Sequence, residues 1–590
     1  MRTQCRLRRR ACRAVAHALR CLIGPRKTQR SRALRDQTSD GVVILDAGVA
    51  SLPNRLHTDL CIVGAGPAGI ALARRWLGTA VNVCLVEGGG PRPESLSQSL
   101  YEGAAIGEGR FDPVRSRLRA FGGSTHVWGG GCIPLSQGDL SRRAWVPHSG
   151  WPLAYEALRP FYEQARGLFG IEHHALGDGS FLHDSEPAGI PFDSDLLEHR
   201  TFARSPVFFG EAFREELALA PNVQLLLHAN AVSLQADPHA EHVESLTIRS
   251  LSGQTTSLVA RRYVLACGGI ENARLLLLSS NVAPEGLGNR HGLVGRYFMD
   301  HPSCRLGTLH TGSPERITRP YDRSGGKGSA PCFPELCLSD ATIRQHGLLN
   351  ARAKPFAVEG PVPDGLRAFR ELRQAFRKQD HDEAMALNGQ MDAAHPVFDP
   401  PRRNRSIGAL GKAVATVGRH PNHVARAWYR KRRGKLPVAA QRVDVVGYFE
   451  QAPNPHSRVR LGEDLDALGQ RKVVVDWRLT DLDWHTYRTS AAIFGAALAE
   501  ASHGQFSADA WLAEGTGIDA PIHGTAHHMG TTRMSASPAE GVVDLDARVH
   551  GVDNLYVAGS SIFPTGGWAF PTFTIAAMSL RLAEHLQFLL

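Results

Sequence analysis

HTDLCIVGAGPAGIALARRWL, residues 57–77, decides the fold. A short apolar run, Leu60–Val63, stands before a Gly-x-Gly-x-x-Gly turn and an Ala-rich segment. This order predicts a buried strand, a tight turn and a helix. VNVCLVEGGG at 81–90 predicts a second strand that ends on an acid. The two stretches together predict the start of a βαβ unit.

The glycine spacing and the acid predict a dinucleotide site. Gly64 would make the tight turn, Gly66 would let the backbone approach a pyrophosphate, and Gly69 would let helix and strand pack closely. The helix N-terminus would supply amide donors. Glu87 lies 23 residues after Gly64, where a carboxylate can accept from ribose hydroxyls. The alternative interpretation is a glycine turn without a ligand.

The fingerprint alone serves both NAD and FAD. Its place near residue 60 of 590, with further glycine-rich segments near 120 and 560, favours FAD, because a long flavin needs several distant segments to surround it.

The formal net charge of +10 comes from one end of the chain. Residues 1–35 hold twelve Arg and Lys and no acid, while the rest of the chain carries 55 basic and 57 acidic side chains. A near-neutral body argues against a nucleic-acid partner. For residues 1–45 three interpretations stay open: a basic, disordered extension, a surface-binding or targeting helix, and a nucleic-acid arm. A second basic run, 401–435, is interpreted as a solvated face or a mobile loop.

No part of the sequence predicts a membrane span. The apolar piece AVAHALRCLI is interrupted by His17 and Arg20, and no run of about 18 apolar residues occurs. The ten cysteines are scattered, without a Cys-x-x-Cys pair or zinc spacing, and no metal site is expected. We therefore expect reduced thiols and a cytoplasmic location.

Four stretches resemble the glucose–methanol–choline (GMC) family of FAD-dependent oxidoreductases over about residues 57–590. The first is the βαβ start, and the second is RLRAFGGSTHVWGGGCIPL at 117–135. The third is RRYVLACGGIENARLLLLS at 261–279, and the fourth runs from HHMGTTRM at 527 to the C-terminal helix. The segment GWPLAYEALRPFYEQA is similar to the bacterial sugar- and gluconate-dehydrogenase branch.

The resemblance implies an α/β fold, α+β overall. A Rossmann-type FAD domain would be assembled from segments 57–150, 222–300 and 540–590. A substrate domain with an antiparallel sheet and helices would come from 151–221 and 301–539. The motifs and the resemblance imply the following cofactor-binding residues: Gly64, Gly66, Pro67, Ala68, Gly69, Glu87, Gly122, Gly123, Ser124, His126, Trp128, Gly129, Gly130, Cys132, Val232, Gly559, Ser560, Pro571 and Thr572.

The implied reaction is oxidation of an alcohol by hydride transfer to flavin N5, and it needs a base, because hydride leaves an alkoxide more readily than a neutral alcohol. Histidine titrates near neutrality and suits that work. In the family pattern the base stands three residues before the glycine of Gly-Thr, which here is Gly530. This selects His527 as the base, with His528 the second candidate. The alternative is a pair of structural histidines.

Phe570 departs from the family pattern, which has His or Asn before Pro-Thr at the entry to the last helix. Phenylalanine cannot replace that hydrogen bond. A one-histidine mechanism, a polar group from 305–450 and an altered chemistry all stay open. Trp568 is expected in the wall of the substrate pocket. His126 falls one position from the histidine that links flavin covalently in pyranose oxidases, and packing in the loop is the other interpretation.

We expect an alcohol, sugar or glycoside as substrate and oxygen, a quinone or a separate haem subunit as electron acceptor. The sequence itself has no Cys-x-x-Cys-His haem motif. Two other functions stay open: a flavin-containing lyase of the hydroxynitrile-lyase kind, and a redox-silent flavoprotein.

Overall fold

The computed structural model describes residues 44–172, 192, 195–321, 332–375, 407–433, 435–513 and 520–590. Most of the predicted N-terminal extension, residues 1–45, and residues 401–406 of the second basic run lie outside these ranges. The helices are α1 Pro67–Ala73, α2 Ser95–Ser99, α3 Gln137–Leu140, α4 Tyr155–Phe169, α5 Phe209–Ala212, α6 Arg214–Leu219, α7 Gly268–Leu278, α8 Pro314–Thr318, α9 Asp340–His346, α10 Asp364–Ala375, α11 Ile407–Arg419, α12 Pro421–Arg432, α13 Asp481–Ser502 and α14 Pro571–Gln587.

The strands form three sheets. They are β1 Ile44–Asp46, β2 Arg55–Val63, β3 Val83–Val86, β4 Gly103–Gly107, β5 Gly131–Cys132, β6 Leu197–Arg204, β7 Val223–Leu227, β8 Asn230–Ala236, β9 Val243–Arg249, β10 Thr255–Leu265, β11 Pro302–His310, β12 Cys332–Leu338, β13 Ala351–Glu359, β14 Ala440–Phe449, β15 Arg458–Leu465, β16 Arg471–Trp477, β17 Gln505–Ala508, β18 His523–Gly524 and β19 Leu555–Val557.

The first sheet is the predicted Rossmann-type layer. Its order is β1-β7-β3-β2-β10-β9-β8, with β19 also on β10. The pairs among β1, β7, β3, β2, β10 and β19 are parallel. All four residues of β3 and the last four of β2 are buried, as expected for apolar strands covered on both faces. The predicted βαβ start is confirmed as β2, α1 and β3.

The second sheet is antiparallel. Four of its strands, β11 to β14, lie within residues 302–449, where sequence patterns alone predict no strand. Its order is β17-β11-β14-β13-β12-β6-β5, with β18 on β11. A third sheet, β15-β16-β4, brings strands from 103–107 and 458–477 together. Two apolar cores result, one around the first sheet and α14 and the other around the second sheet and α13.

Helix α4 packs on the side of the first sheet. Its Tyr162 ring lies parallel to that of Phe573, 5.4 Å between centroids, and its hydroxyl bonds Thr574 of α14 at 2.9 Å. The predicted substrate segment 151–221 is therefore divided, because α4 contacts α14 while β6 belongs to the second sheet. The described part of the chain holds no helix with the length and apolarity needed to cross a membrane.

Candidate active site

A cavity of about 530 Å³ is lined by residues from both large sheets. One end is formed by the glycine turn after β2, by Glu87 after β3 and by the start of α7. The other end is formed by Phe202, Arg352, Tyr448, His527 and Phe570. The N-terminus of α14 and the turn at Gly559 and Ser560 also reach it.

The glycine turn has the close packing that its spacing predicts. Gly64 has φ +104°, and a Cβ there would lie 2.5 Å from the carbonyl oxygen of Ala266. A Cβ on Gly69 would lie 1.9 Å from the carbonyl oxygen of Gly64. A Cβ on Gly66 would meet nothing within 4 Å. Gly64 and Gly69 are thus fixed by the protein itself, whereas the space beside Gly66 is left for a ligand.

Glu87 has a structural partner at each carboxylate oxygen. Oε2 accepts from the amide of Ala65 at 2.9 Å, and Oε1 accepts from the amide of Gly89 at 2.8 Å. The side chain is buried and lines the cavity. Its carboxylate therefore braces the glycine turn, and each oxygen keeps a further lone pair for a ribose hydroxyl.

Most of the predicted cofactor residues line the cavity, and five of them do not. His126 Nε2 bonds the carbonyl of Phe121 at 2.8 Å, which supports the interpretation of packing within the loop. Val232 is buried with Leu100 and Leu468. The five that do not line the cavity are Gly69, Gly122, His126, Cys132 and Val232.

The residues present fit FAD. The cavity runs from a glycine turn with open space at Gly66, past the Gly123–Ser124 loop, to the start of α14. Helix N-termini at α1 and α14 present amide donors to anionic groups. When FAD is bound, the first turn and Glu87 would hold its adenosine and pyrophosphate half, and Gly559, Ser560 and Thr572 would lie at its flavin half.

His527 sits in a backbone clamp made by Asp300. This carboxylate is fully buried and accepts from the amide of His527 at 2.8 Å and from that of Ala526 at 3.2 Å. It also accepts from the amides of Thr525 and His301, at 3.3 and 2.7 Å. Ala526 has φ +63°, a strained value for a residue with a Cβ. The three hydrogen bonds from the amides of Thr525, Ala526 and His527 hold that turn and fix the backbone from which the His527 side chain extends.

The hydrogen bonds around His527 decide which of its ring nitrogens is free to accept a proton. His301 Nε2 lies 3.0 Å from the carbonyl of Gly567, which only accepts, so Nε2 carries the proton. Neutral His301 then accepts at Nδ1, which lies 2.9 Å from His527 Nδ1. Two lone pairs cannot share that contact, so His527 donates from Nδ1, which also lies 3.0 Å from the hydroxyl oxygen of Thr525. Its Nε2 then carries the lone pair.

Both rings are neutral near pH 7. Burial, then the charges of His301, Arg352 and His528, hold the pKa of His527 well below its usual value. Burial, then Arg352, lowers the pKa of His301 to about 4. A buried neutral imidazole with a free Nε2 can take a proton from a hydroxyl group.

His528 has different surroundings. Its ring packs against Phe111 and Phe298, with centroids 5.0 and 5.7 Å away. Burial lowers its pKa to about 3. Its Nε2 makes no hydrogen bond among the described residues and lies 4.0 Å from Asp300 Oδ2. The aromatic contacts and the low pKa suit a packing role.

Phe570 lines the cavity beside His527, with ring centroids 5.8 Å apart. It also contacts Phe202, at 4.8 Å, and lies under the Arg352 guanidinium, at 4.7 Å. Trp568, expected in the wall of the substrate pocket, is not among the residues that line this cavity; it is buried, with the Arg200 guanidinium 5.2 Å from its ring.

Three residues of this site were missed by sequence reasoning: Asp300, His301 and Arg352. The first two form an acid–histidine pair directly before Pro302, where β11 begins. That pair was the available signal, and no spacing to residue 527 marked it. The described residues hold no group of three His, Cys, Asp or Glu side chains suited to a metal.

Comparisons with known proteins agree with this geometry. A family model described as GMC oxidoreductase matches residues 453–579. The dehydrogenase str4 of Strobilurus tenacellus is 39% identical, over 90% of this chain and 94% of its own length. The fructose dehydrogenase large subunit of Gluconobacter japonicus is 25% identical, over 90% of this chain and 97% of its own length. The crystal structure of pyridoxine 4-oxidase from Mesorbium loti has a TM-score of 0.54 and 17% identity, over 90% of this chain and 99% of that one.

The 17% identity to that crystal structure supports the fold alone, but the 39% identity to str4 extends over nearly the whole of both chains. The chain therefore belongs to the GMC oxidoreductases, enzymes with FAD as cofactor that oxidise CH–OH groups.

Proposed function

We propose that this protein oxidises an alcohol, sugar or glycoside CH–OH group by hydride transfer, with His527 as the general base. Bound FAD supplies the hydride acceptor. The observation that carries the proposal is the hydrogen-bonded chain from Gly567 O through His301 to His527 Nδ1, which leaves Nε2 of His527 unprotonated in the cavity.

The protein's own contribution is to hold the base and to exclude water. The Asp300 clamp fixes the backbone at His527, and His301 fixes the tautomer. Phe570 places a phenyl ring beside the imidazole, so the second polar group of the family pattern is absent there. The substrate hydroxyl then has one base to meet, which supports a one-histidine mechanism.

A sugar substrate is supported by the Gluconobacter japonicus relative, which is named a fructose dehydrogenase large subunit. The electron acceptor of this chain would be oxygen, a quinone or a separate haem subunit. The test that separates these three is to reduce the bound flavin anaerobically with substrate and then to add oxygen or a soluble quinone. Rapid return of the flavin absorbance with one of them identifies it, and no return with either points to a protein partner.

The base assignment is tested by anaerobic bleaching of the flavin with a panel of alcohols and sugars. His527→Ala should retain flavin but bleach about 10²–10⁴-fold more slowly, because proton removal by a positioned base contributes that much. His528→Phe should keep its aromatic packing and bleach at a rate close to that of the unmodified protein.

His550→Ala is the matched control, since His550 bonds the carbonyl of Ser535 and does not line the cavity. If His528→Phe is the slow variant and His527→Ala is not, the assigned base is wrong. Carbon–carbon cleavage of a hydroxynitrile without any bleaching would instead identify a lyase.

A further inference from the structure

One face of the second sheet forms the end of the cavity near His527. In antiparallel strands directly opposite residues place their side chains on the same face. Phe202 of β6 is opposite Phe333 of β12, and Arg352 of β13 is opposite Tyr448 of β14. Of these, Phe202, Arg352 and Tyr448 line the cavity. This sheet face thus gives the cavity two aromatic rings and one arginine, close to the base.

This end of the cavity, the recess, is lined by Phe202, Arg204, Arg352, Tyr448 and Phe570. Arg352 is its buried charged group. Its side chain is 5% exposed, and its guanidinium lies over the rings of Tyr448 at 4.5 Å and Phe570 at 4.7 Å. Nη1 donates to the buried carboxylate of Glu335. Among the described residues the guanidinium makes no other hydrogen bond, which leaves N–H donors at Nε and Nη2 for a ligand.

Arg204 adds a positive charge that the described residues do not neutralise. It ends β6, two residues after Phe202, is exposed and lines the same cavity. Its guanidinium lies 5.9 Å from the Phe333 ring and forms no ion pair within the described ranges.

The carboxylates among the described lining residues both belong to the cofactor end. Glu87 braces the glycine turn, and Glu271 bonds the guanidinium of Arg117 at 2.7 Å. Glu335 balances the charge of Arg352, and among the described residues Arg204 then gives this end of the cavity a net positive charge. A cationic substrate would be repelled here, and an anion would be attracted.

We propose that this recess is a carboxylate-binding subsite, and that the substrate is an alcohol that carries a carboxylate group. The identification of the substrate rests on the proposed alcohol oxidation, but the binding of the anion does not. Arg352 would donate from Nε and Nη2 to the two carboxylate oxygens, the geometry for which a guanidinium is suited. Phe202 and Phe570 would pack against the carbon skeleton between the carboxylate and the reacting hydroxyl.

The test is isothermal titration calorimetry of the FAD-loaded enzyme with benzoate and with benzamide, which have the same shape and differ in charge. Neither has a CH–OH group, so binding is measured without turnover. Benzoate should bind at least about tenfold more tightly, because a hydrogen-bonded charge is worth that much. Arg352→Lys keeps the charge but loses the planar pair of donors, and should remove most of the preference.

Arg204→Gln is the second variant. Arg204 has no buried partner among the described residues, so this variant tests the subsite even if an Arg352 variant fails to fold. It should weaken benzoate about threefold or more and leave benzamide unchanged. Arg460→Gln, an exposed arginine outside the cavity lining, is the control and should change neither. Equal affinity for the two ligands, or a preference that survives Arg204→Gln and every folded Arg352 variant, overturns the proposal.

The same measurement keeps the two proposals apart. His527→Ala should still prefer benzoate although its bleaching is lost. Absence of bleaching by any alcohol, together with a clear benzoate preference, contradicts the proposed oxidation alone. Bleaching by neutral alcohols without a benzoate preference contradicts the subsite alone.

Discussion

At the residue scale, the proposed base, His527, has its polar partner at a place other than the one in the family pattern. The family pattern places a second polar side chain at 570, and this chain has a phenyl ring there. The imidazole that contacts His527 comes instead from His301, at the start of β11, through a bond of 2.9 Å between their Nδ1 atoms. His301 is therefore a positioning residue: it sets the tautomer and rotation of His527 and leaves Nε2 to the substrate.

Replacing His301 tests that role. His301→Phe removes the imidazole acceptor and leaves the Thr525 hydroxyl oxygen, 3.0 Å away, as the remaining partner of His527 Nδ1–H. We expect the ring to shift and kcat to fall by about 100-fold, because small misplacements of a catalytic group cost that much, while KM changes little. His301→Asn restores an acceptor and should recover much of the loss. Steady-state kinetics of both variants is the measurement. Equal kcat for His301→Phe and the unmodified protein would contradict the assignment.

The pH dependence follows from the lowered pKa of His527. Burial first, and then nearby positive and histidine groups, favour the neutral ring, so the base stays active as the pH falls through 6.5. kcat/KM should therefore show no loss on the acid side until well below pH 6.5. His301→Phe removes the contribution of His301 to the lowered pKa of His527, so kcat/KM should begin to fall at a higher pH than in the unmodified protein. A fall of kcat/KM that already begins at or above pH 6.5 in the unmodified protein would show that the titrating group is not His527.

At the scale of elements, the glycine turn between β2 and α1 separates folding from cofactor binding. Gly69→Ala would place a methyl group 1.9 Å from the Gly64 carbonyl oxygen. It should destabilise the fold by about 1–3 kcal/mol or more, because well-packed backbone has no room to yield. Gly66→Ala meets no protein atom within 4 Å, so the apoprotein should unfold as before, but flavin content should fall.

Thermal unfolding of the apoproteins and the flavin-to-protein ratio distinguish the two variants. Gly408→Ala is the control, because Gly408 lies in helix α11 and a Cβ there would meet no atom within 4 Å. It should leave the unfolding temperature and the flavin content unchanged. Full flavin content in Gly66→Ala would show that no ligand approaches that backbone.

Local patterns predicted the elements well where one face or both are buried. Apolar spacing alone predicts strands at 60–63, 81–90, 242–251 and 261–269 and helices within 151–170, 270–280, 366–379 and 486–501, and the structure has elements at each of these places. The same spacing predicts one strand over 222–237, which is wrong: the chain turns at His228, with φ +51°, between β7 and β8. The His228 ring bonds Asp46 and Glu94, partners far away in the sequence, so no local signal marked the turn.

At the scale of the whole molecule, a buried ion pair links the loop after α3 to the end of β14. Arg143 donates to both carboxylate oxygens of Glu450, at 2.8 and 2.5 Å, and Asn350 donates to Glu450 at 2.7 Å. Asn350 also reaches Asp139, at 3.1 Å. Burial raises the pKa of Glu450, but the charge of Arg143 and these hydrogen bonds outweigh it and lower the pKa overall.

Breaking that pair should cost stability. Glu450→Ala leaves the Arg143 charge buried without its partner, and about 3–5 kcal/mol of unfolding free energy should be lost. Because the folded pKa is lowered, the contribution is fully present above the unfolded pKa near 4.5 and is lost as the pH falls from there through the folded pKa. Denaturant unfolding at pH 7 and at a series of pH values below 4.5 measures both effects. Glu463→Ala, at an exposed position on β15 that forms no ion pair with the described residues, is the control.

Distance along the chain explains what the sequence left undetermined in the site. The glycine motifs are local, so the sequence alone predicts many of the residues that line the cavity, and the spacing to Gly530 predicts His527. Asp300 and His301 meet His527 across more than 220 residues. Arg352 and Tyr448 are brought together by strand register, and the register of an antiparallel pair is decided by burial of a whole face and not by a local motif.

The hydrogen-bonded chain behind His527 ends on a peptide carbonyl, that of Gly567. A peptide oxygen is no proton acceptor near neutral pH, and Nε2 of His301 already carries its proton. A proton that the proposed base takes from an alcohol therefore has no path onward through His301. We expect it to leave from Nε2 instead, on the side of the ring that meets the substrate. Product departure and proton release would then use the same opening of the cavity, and the base would be ready for the next turnover only after the product has left.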